Sequence, residues 1–226
     1  MWISGPAKRV SAAGRIGSLR PGFFLTRGMR VGLLGGSFNP AHEGHAHGAE
    51  TALTRLRLDK VIWLVSPQNP LKPAAESSSL KARMASARKL ARGPRMIVSD
   101  IESRVGSRYT IDILRILKQR YPGVRFVWLM GGDNLNSLHG WRGWVNIMRE
   151  MPVAVIARPG AELKSRSSPA ARRFAFARRS SREAPYLAGR RTPAWLYIRA
   201  PFNFASSTAL RASLKALIES RVTSLK

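Results

Sequence analysis

The chain has 226 residues, 44% of them hydrophobic, which is enough for one sizeable core and one domain. It has no cysteine, which excludes disulfides and thiolate metal sites, and no apolar run reaches the roughly 20 residues of a membrane span, so it reads as soluble and cytoplasmic. Its 39 Lys and Arg against 12 Asp and Glu give a formal charge of +27, a field that draws polyanions such as nucleic acid, anionic membrane or phosphorylated small molecules.

Residues 1–29 carry five basic and no acidic residues and keep no helical or strand period. They read as a disordered basic lead-in without the continuous apolar stretch of a secretory signal. Met29 directly precedes the first strand pattern, so a translation start there is the simpler account of the lead-in. From Arg30 onward, the apolar runs RVGLLG, VIWLVSP, MIVSD, VRFVWLMGG, PVAVIARPG and AWLYIRA alternate with helical patterns such as HAHGAETALTRLRL, SLKARMASARKLA and TIDILRILKQR. Continuous Val, Ile, Leu and Trp, without alternation, mark strands buried on both faces. The fold class is therefore α/β: a doubly wound, Rossmann-like parallel sheet with flanking helices, forming a single domain over residues 30–226. Such sheets bind ligands at the carboxyl ends of their strands. Residues 158–191 hold ten basic residues and two acids, Glu162 and Glu183, and read as a basic helix plus a mobile loop. From Ser206, SSTALRASLKALIES places Leu210, Leu214, Leu217 and Ile218 on one face behind a Ser/Ser/Thr cap, the pattern of an amphipathic helix.

The chemistry concentrates in GGSFNPAHEGH, residues 35–45. Gly35 and Gly36 fall at the end of the first strand, where a missing Cβ lets backbone approach a phosphate. A helix beginning near Gly44 aims its free N–H groups at the same place. His42 and His45 then bond to a polyphosphate or offset its charge, and the bland alternative is a turn in which one histidine caps the helix. A metal held by His42, His45 and His47 does not match the HExxH spacing and has neither cysteine nor an acidic cluster to help it, so no structural metal site is expected. The phosphate loop GxxxxGK[ST] is missing, so any use of ATP needs another design.

The string resembles the signature of the nucleotidyltransferase superfamily, a Gly-rich turn before [T/H]xGH, here His42-Glu43-Gly44-His45. Class I aminoacyl-tRNA synthetases share a similar motif but are far longer and carry a KMSKS element that this chain lacks. PQNPLK (67–72), SRYTIDIL (107–114), GGDNLNSLHGW (131–141), ARPG (157–160) and SSTALR (206–211) follow in the order found in bacterial nicotinate-nucleotide adenylyltransferases. The resemblance runs from Met29 to the C-terminus. It implies transfer of AMP from ATP to nicotinate mononucleotide, with magnesium accompanying ATP and no protein-bound metal site.

Position by position, the resemblance implies that Gly35, Gly36, Ser37, Phe38, His42 and His45 surround the ATP phosphates. Lys72 and, from the last helix, Ser207, Thr208 and Arg211 join them, with His42, His45 and Arg211 catalytic. Asp133 holds the adenosine, Trp141 stacks on the pyridine ring, and backbone around Thr110 and Arg142 receives the nicotinate carboxylate. Bland alternatives are helix capping for Asp133 and for SSTALR, and core packing for Trp141, with Trp144 three residues on. Ser37, Asn39 and Ala205 stand where Thr, Asp and Ile are frequent, and none of these departures removes a catalytic group. Two rivals remain. Phosphopantetheine adenylyltransferase shares the first and last motifs but lacks SRYTIDIL and GGDNLNSLHGW. A nucleic-acid-binding protein would use the charge; no specific nucleic-acid partner is expected.

Overall fold

A computed structural model describes residues 21–67, 78–107, 109–157 and 165–199. The helix expected from Ser206 lies outside these residues. Six strands form one parallel sheet in the order β3-β2-β1-β4-β5-β6. They are β1 (Arg30–Gly36), β2 (Lys60–Val65), β3 (Met96–Ser99), β4 (Arg125–Gly131), β5 (Val153–Ala157) and β6 (Trp195–Arg199). Each falls within one of the apolar runs, give or take a residue, and each is paired parallel to its neighbours.

Helices cover both faces, because the strands are apolar on both. On one face, Val31, Leu33, Ile62, Leu64, Trp128 and Val155 join Ile113, Leu114 and Leu117 of α4 (Thr110–Arg120) and Ile147 and Met148 of α6 (Trp144–Glu150). On the other, Leu34, Val61, Trp63, Val65, Val127 and Leu129 meet α1 (Glu43–Arg55) through Ala46, Ala49, Ala52 and Leu53, and α2 (Leu80–Leu90) through Met84 and Ala87. Two short helices, α3 (Ile101–Val105) and α5 (Gly132–Ser137), follow the ends of β3 and β4 directly. The chain thus winds from β1 outward to β3 and returns to start again at β4, beside β1. A doubly wound sheet binds its ligands in the crevice at that reversal, outside the carboxyl ends of β1 and β4.

Two stretches differ from the sequence reading. Residues 21–29, placed there in the lead-in, lie against the domain. Leu25 is buried, Phe23 stacks on Tyr121 with centroids 5.8 Å apart, and Gly28 N–H donates to Gly123 C=O at 2.9 Å. The packed chain therefore begins before Arg30. In the second stretch, the expected basic helix is the single turn and a half of α7 (Pro169–Arg173), and in place of a loop come two 3-10 stretches, Ala175–Ala177 and Ser181–Gly189. Phe174 and Ala177 face one core, and Ala184 and Leu187 the other. Short turns of this kind bury alanines without any long-range period, so the sequence carries no helical or strand signal for them.

Candidate functional site at the sheet reversal

Gly35 and Gly36 close β1 at the reversal point. A Cβ on Gly35 would overlap the indole of Trp128, and one on Gly36 would press on the Phe38 ring at 3.1 Å. Both bare glycine faces are therefore covered by aromatic rings: packing alone requires Gly35, while at Gly36 the Phe38 ring would have to give by a few tenths of an ångström. Phe38 takes a left-handed backbone, φ 47°, and buries its ring against Trp63, centroids 5.2 Å apart. Of Phe38, only the backbone can reach a ligand.

His42 is the N-cap of α1, which starts at Glu43, one residue before the expected Gly44. Its N–H donates to Nδ1 of His45 at 3.2 Å, while its C=O accepts from the His45 N–H at 2.8 Å. An Nδ1 that accepts leaves the proton of a neutral ring on Nε2, so His45 is set up as an Nε2–H donor. The two imidazoles lie 3.8 Å apart between centroids, and Phe38 meets His45 edge-on at 4.9 Å. The capping role and the ligand role are thus carried by different nitrogens of one ring.

Asp133 lies in the first turn of α5, one strand over, at the end of β4. Its carboxylate folds back so closely over Gly131 that any Cβ there would overlap Oδ1. It is exposed and sits inside the helix, whose N-cap is Gly131.

Thr110 is the first residue of α4. The approach to it is fixed by Ser107, which donates to Asp112 at 2.8 Å and accepts from the Tyr109 N–H at 3.2 Å. The Arg142 guanidinium sits 4.4 Å from the Tyr109 ring centroid, and Gly143, at φ 66°, packs against Ile111. These contacts bring Thr110 and Arg142 to one wall. Of the two tryptophans, Trp144 meets Phe174 edge-on at 6.1 Å and carries Arg173 at 5.7 Å over its ring. Trp141 is half-buried and has no aromatic or cationic ring partner among the described residues. Both rings are partly buried against the same core, and they differ in that Trp144 alone has ring partners among the described residues.

Lys72, Ser207, Thr208 and Arg211 lie outside the described residues. Two side chains went unmarked in the sequence: Tyr109, which carries Arg142, and Arg83 of α2, buried beneath the loop after β1. An aromatic directly before a helix start could have drawn attention to Tyr109. Nothing in the helical pattern distinguishes Arg83 from a solvated arginine. Among the described residues, no three His, Asp or Glu side chains gather as metal ligands.

The cytidylyltransferase-like family model matches residues 33–213. A Caulobacter protein (strain K31) named "Probable nicotinate-nucleotide adenylyltransferase" is 68% identical over 183 residues, 81% of this chain and 97% of the relative. One of the same name from Cereibacter sphaeroides (strain ATCC 17025) is 56% identical over 185 residues, 82% of this chain and 98% of that one. The chain belongs to the nicotinate-nucleotide adenylyltransferase family. The fold of this family extends to distant members: a Plasmodium falciparum nicotinic acid mononucleotide adenylyltransferase complexed with NaAD superposes with a TM-score of 0.61 at 15% identity, covering 81% of this chain and 83% of that one. The same enzyme complexed with APC gives 0.59.

Proposed function

We infer that this chain transfers the adenylyl group of ATP to nicotinate mononucleotide. A phosphate oxygen of the mononucleotide bonds to the α-phosphorus, the bond from that phosphorus to the bridging oxygen breaks, and pyrophosphate leaves with the electron pair. The observation that carries this reading is the His42/His45 pair at the N-terminus of α1, beside the glycines that end β1 and across the reversal from Asp133 at the end of β4.

The nucleophile is already an anion, so no residue needs to remove a proton. What remains is alignment of two phosphates and stabilisation of the charge that builds on the α-phosphate and the leaving group. In this reading the first N–H groups of α1 and the Nε2–H of His45 face the triphosphate. His42 frames it, and Lys72, Ser207, Thr208 and Arg211 close on the same phosphates. Gly35, Gly36, Ser37 and Phe38 contribute backbone. Asp133 holds the adenosine, Trp141 offers its ring to the pyridine, and the wall of Thr110 and Arg142 takes the carboxylate. Magnesium suits this donor set only as a companion of ATP: a hard cation prefers oxygens, the loop presents N–H groups and imidazoles, and the phosphates supply the oxygens themselves. When bound it offsets phosphate charge.

The reading also places the chain in the cytoplasm, where both substrates are available; no helix among the described residues is long and apolar enough to cross a membrane. The test is pyrophosphate release with ATP and, side by side, nicotinate mononucleotide, nicotinamide mononucleotide and phosphopantetheine. The acid should exceed the amide in kcat/KM by roughly 10⁴, because donors built for a carboxylate are left unpaired by an amide. Trp141→Ala should weaken both pyridine nucleotides without reversing their order. Turnover of phosphopantetheine instead would move the chain to the rival enzyme of the same superfamily.

A further inference from the structure

Arg83 lies in the first turn of α2 and is 2% exposed, yet among the described residues no carboxylate faces it. Its donors all go to backbone. Nε donates to the Ser78 carbonyl at 3.0 Å, Nη1 to those of Ser37 and Ser66, both at 2.7 Å, and Nη2 to that of Pro67 at 2.6 Å. These carbonyls belong to three separate segments: the loop after β1, the residues after β2, and the residue two before α2. Taking an uncompensated guanidinium out of water costs several kcal/mol, so a fold in need of a filler would do better with an apolar side chain. Burial draws the Arg83 pKa downward, but a guanidinium stays charged in proteins.

The arrangement secures geometry at one place. Nη1 is shared between Ser37 and Ser66, so the loop after β1 cannot shift without the end of β2. A trans peptide is planar, with C=O and N–H opposed, so fixing the Ser37 carbonyl toward Arg83 also fixes the Phe38 N–H to point away from it. Left-handed Phe38 then sets the turn toward His42. A second tie runs beside the first, the Ser78 N–H donating to Asn39 Oδ1 at 3.1 Å.

We propose that Arg83 is the positioning residue of the phosphate-facing loop: by binding the Ser37, Ser66 and Pro67 carbonyls together from beneath, it holds the backbone after β1 in the geometry that the triphosphate requires. The proposal rests on the adenylyl-transfer reading above. Its positive charge adds to the field there without touching substrate.

The test compares Arg83→Lys with Arg95→Lys. Arg95 also donates to carbonyls, those of Asp59 at 3.3 Å and Leu58, but at the amino end of β2, away from the site. Lysine keeps the charge of Arg83 and loses the planar fork. Arg83→Lys should fold, lose kcat by about 10- to 100-fold with little change in KM for nicotinate mononucleotide, and speed amide hydrogen exchange at residues 37–41 selectively. Arg95→Lys should keep kcat whatever it does to Tm. Wild-type kcat and wild-type exchange in Arg83→Lys, with only a lower Tm, would overturn the proposal and leave a fold staple. If Arg83→Lys does not fold, Arg83→Gln, which keeps an N–H donor but loses the fork across the three carbonyls, takes its place, and wild-type kcat with wild-type exchange there overturns the proposal equally. A wild-type chain inactive on both substrates would sink the functional reading alone, since the exchange comparison does not depend on turnover.

Discussion

His45 divides its work between two nitrogens. Nδ1 accepts from the His42 N–H and so completes the helix start, which leaves Nε2–H as the donor for charge that develops in the transfer. Replacing the ring by alanine removes both, so a second variant separates them: asparagine places an acceptor near the Nδ1 position and nothing near Nε2. His45→Asn should therefore keep Tm close to wild type while kcat falls by about 10² to 10³, the usual worth of one transition-state donor, with KM for ATP changed far less. Near-normal turnover in His45→Asn would reduce His45 to a cap. The motif itself was legible from residue types, because two histidines beside a glycine pair at a strand end have few other uses. The burial of the Phe38 ring and the covering of Gly35 were not, since the first depends on Trp63 of β2 and the second on Trp128 of β4, both distant in sequence.

Strands were readable because they are continuously apolar and long helices because their burial is periodic, and the two stretches that differ have neither signal. Residues 21–29 offer few apolar anchors, chiefly Phe23, Leu25 and Met29, and part of what they pack on, Tyr121, is supplied 98 residues on from Phe23, where Tyr121 Oη–H donates to the Phe23 carbonyl at 3.0 Å. Burying one leucine is worth about 1.5–3 kcal/mol, so removing residues 1–28 should lower Tm by several degrees relative to removing residues 1–20. Equal melting of the two truncations would show that this arm contributes nothing. At α3 no sequence signal marks Glu102 as buried, because a glutamate in a short, polar-looking turn reads as solvated. Burial pushes its carboxyl from 4.5 up to about 7. The folded state therefore holds this proton more tightly than the unfolded one, and stability falls as pH rises between those values and stays reduced above them. Glu102→Gln keeps the shape without the charge, so its Tm advantage over wild type should be absent near pH 4 and grow to a plateau by about pH 8. An advantage independent of pH would mean that the carboxyl is not titrating in the folded protein.

Across the molecule, 39 cations face 12 anions, and attraction cannot balance that repulsion. The ion pairs among the described residues, such as Arg30 with Asp59 at 3.4 Å and Arg190 with Glu183 at 2.6 Å, are partly solvent-exposed, and pairs of this kind are worth about 0–1 kcal/mol each. The excess is crowded in places. Arg30 and Arg125 are register neighbours at the amino ends of β1 and β4, and with Arg57 and Arg190 they line one groove, held there by the strands themselves. Added salt shortens the screening length to about 10 Å at 0.1 M, which weakens the few attractions and the many repulsions together, and the larger sum decides the sign. Tm should therefore rise between low salt and about 0.3 M sodium chloride, opposite to a protein stabilised by its surface pairs. Arg125→Gln removes one charge from the groove and keeps a long polar side chain, so at low salt it should melt higher than wild type and show a shallower salt dependence. A wild-type Tm that falls on adding salt, or an Arg125→Gln variant that melts lower at low salt, would mean that the paired charges outweigh the crowded ones.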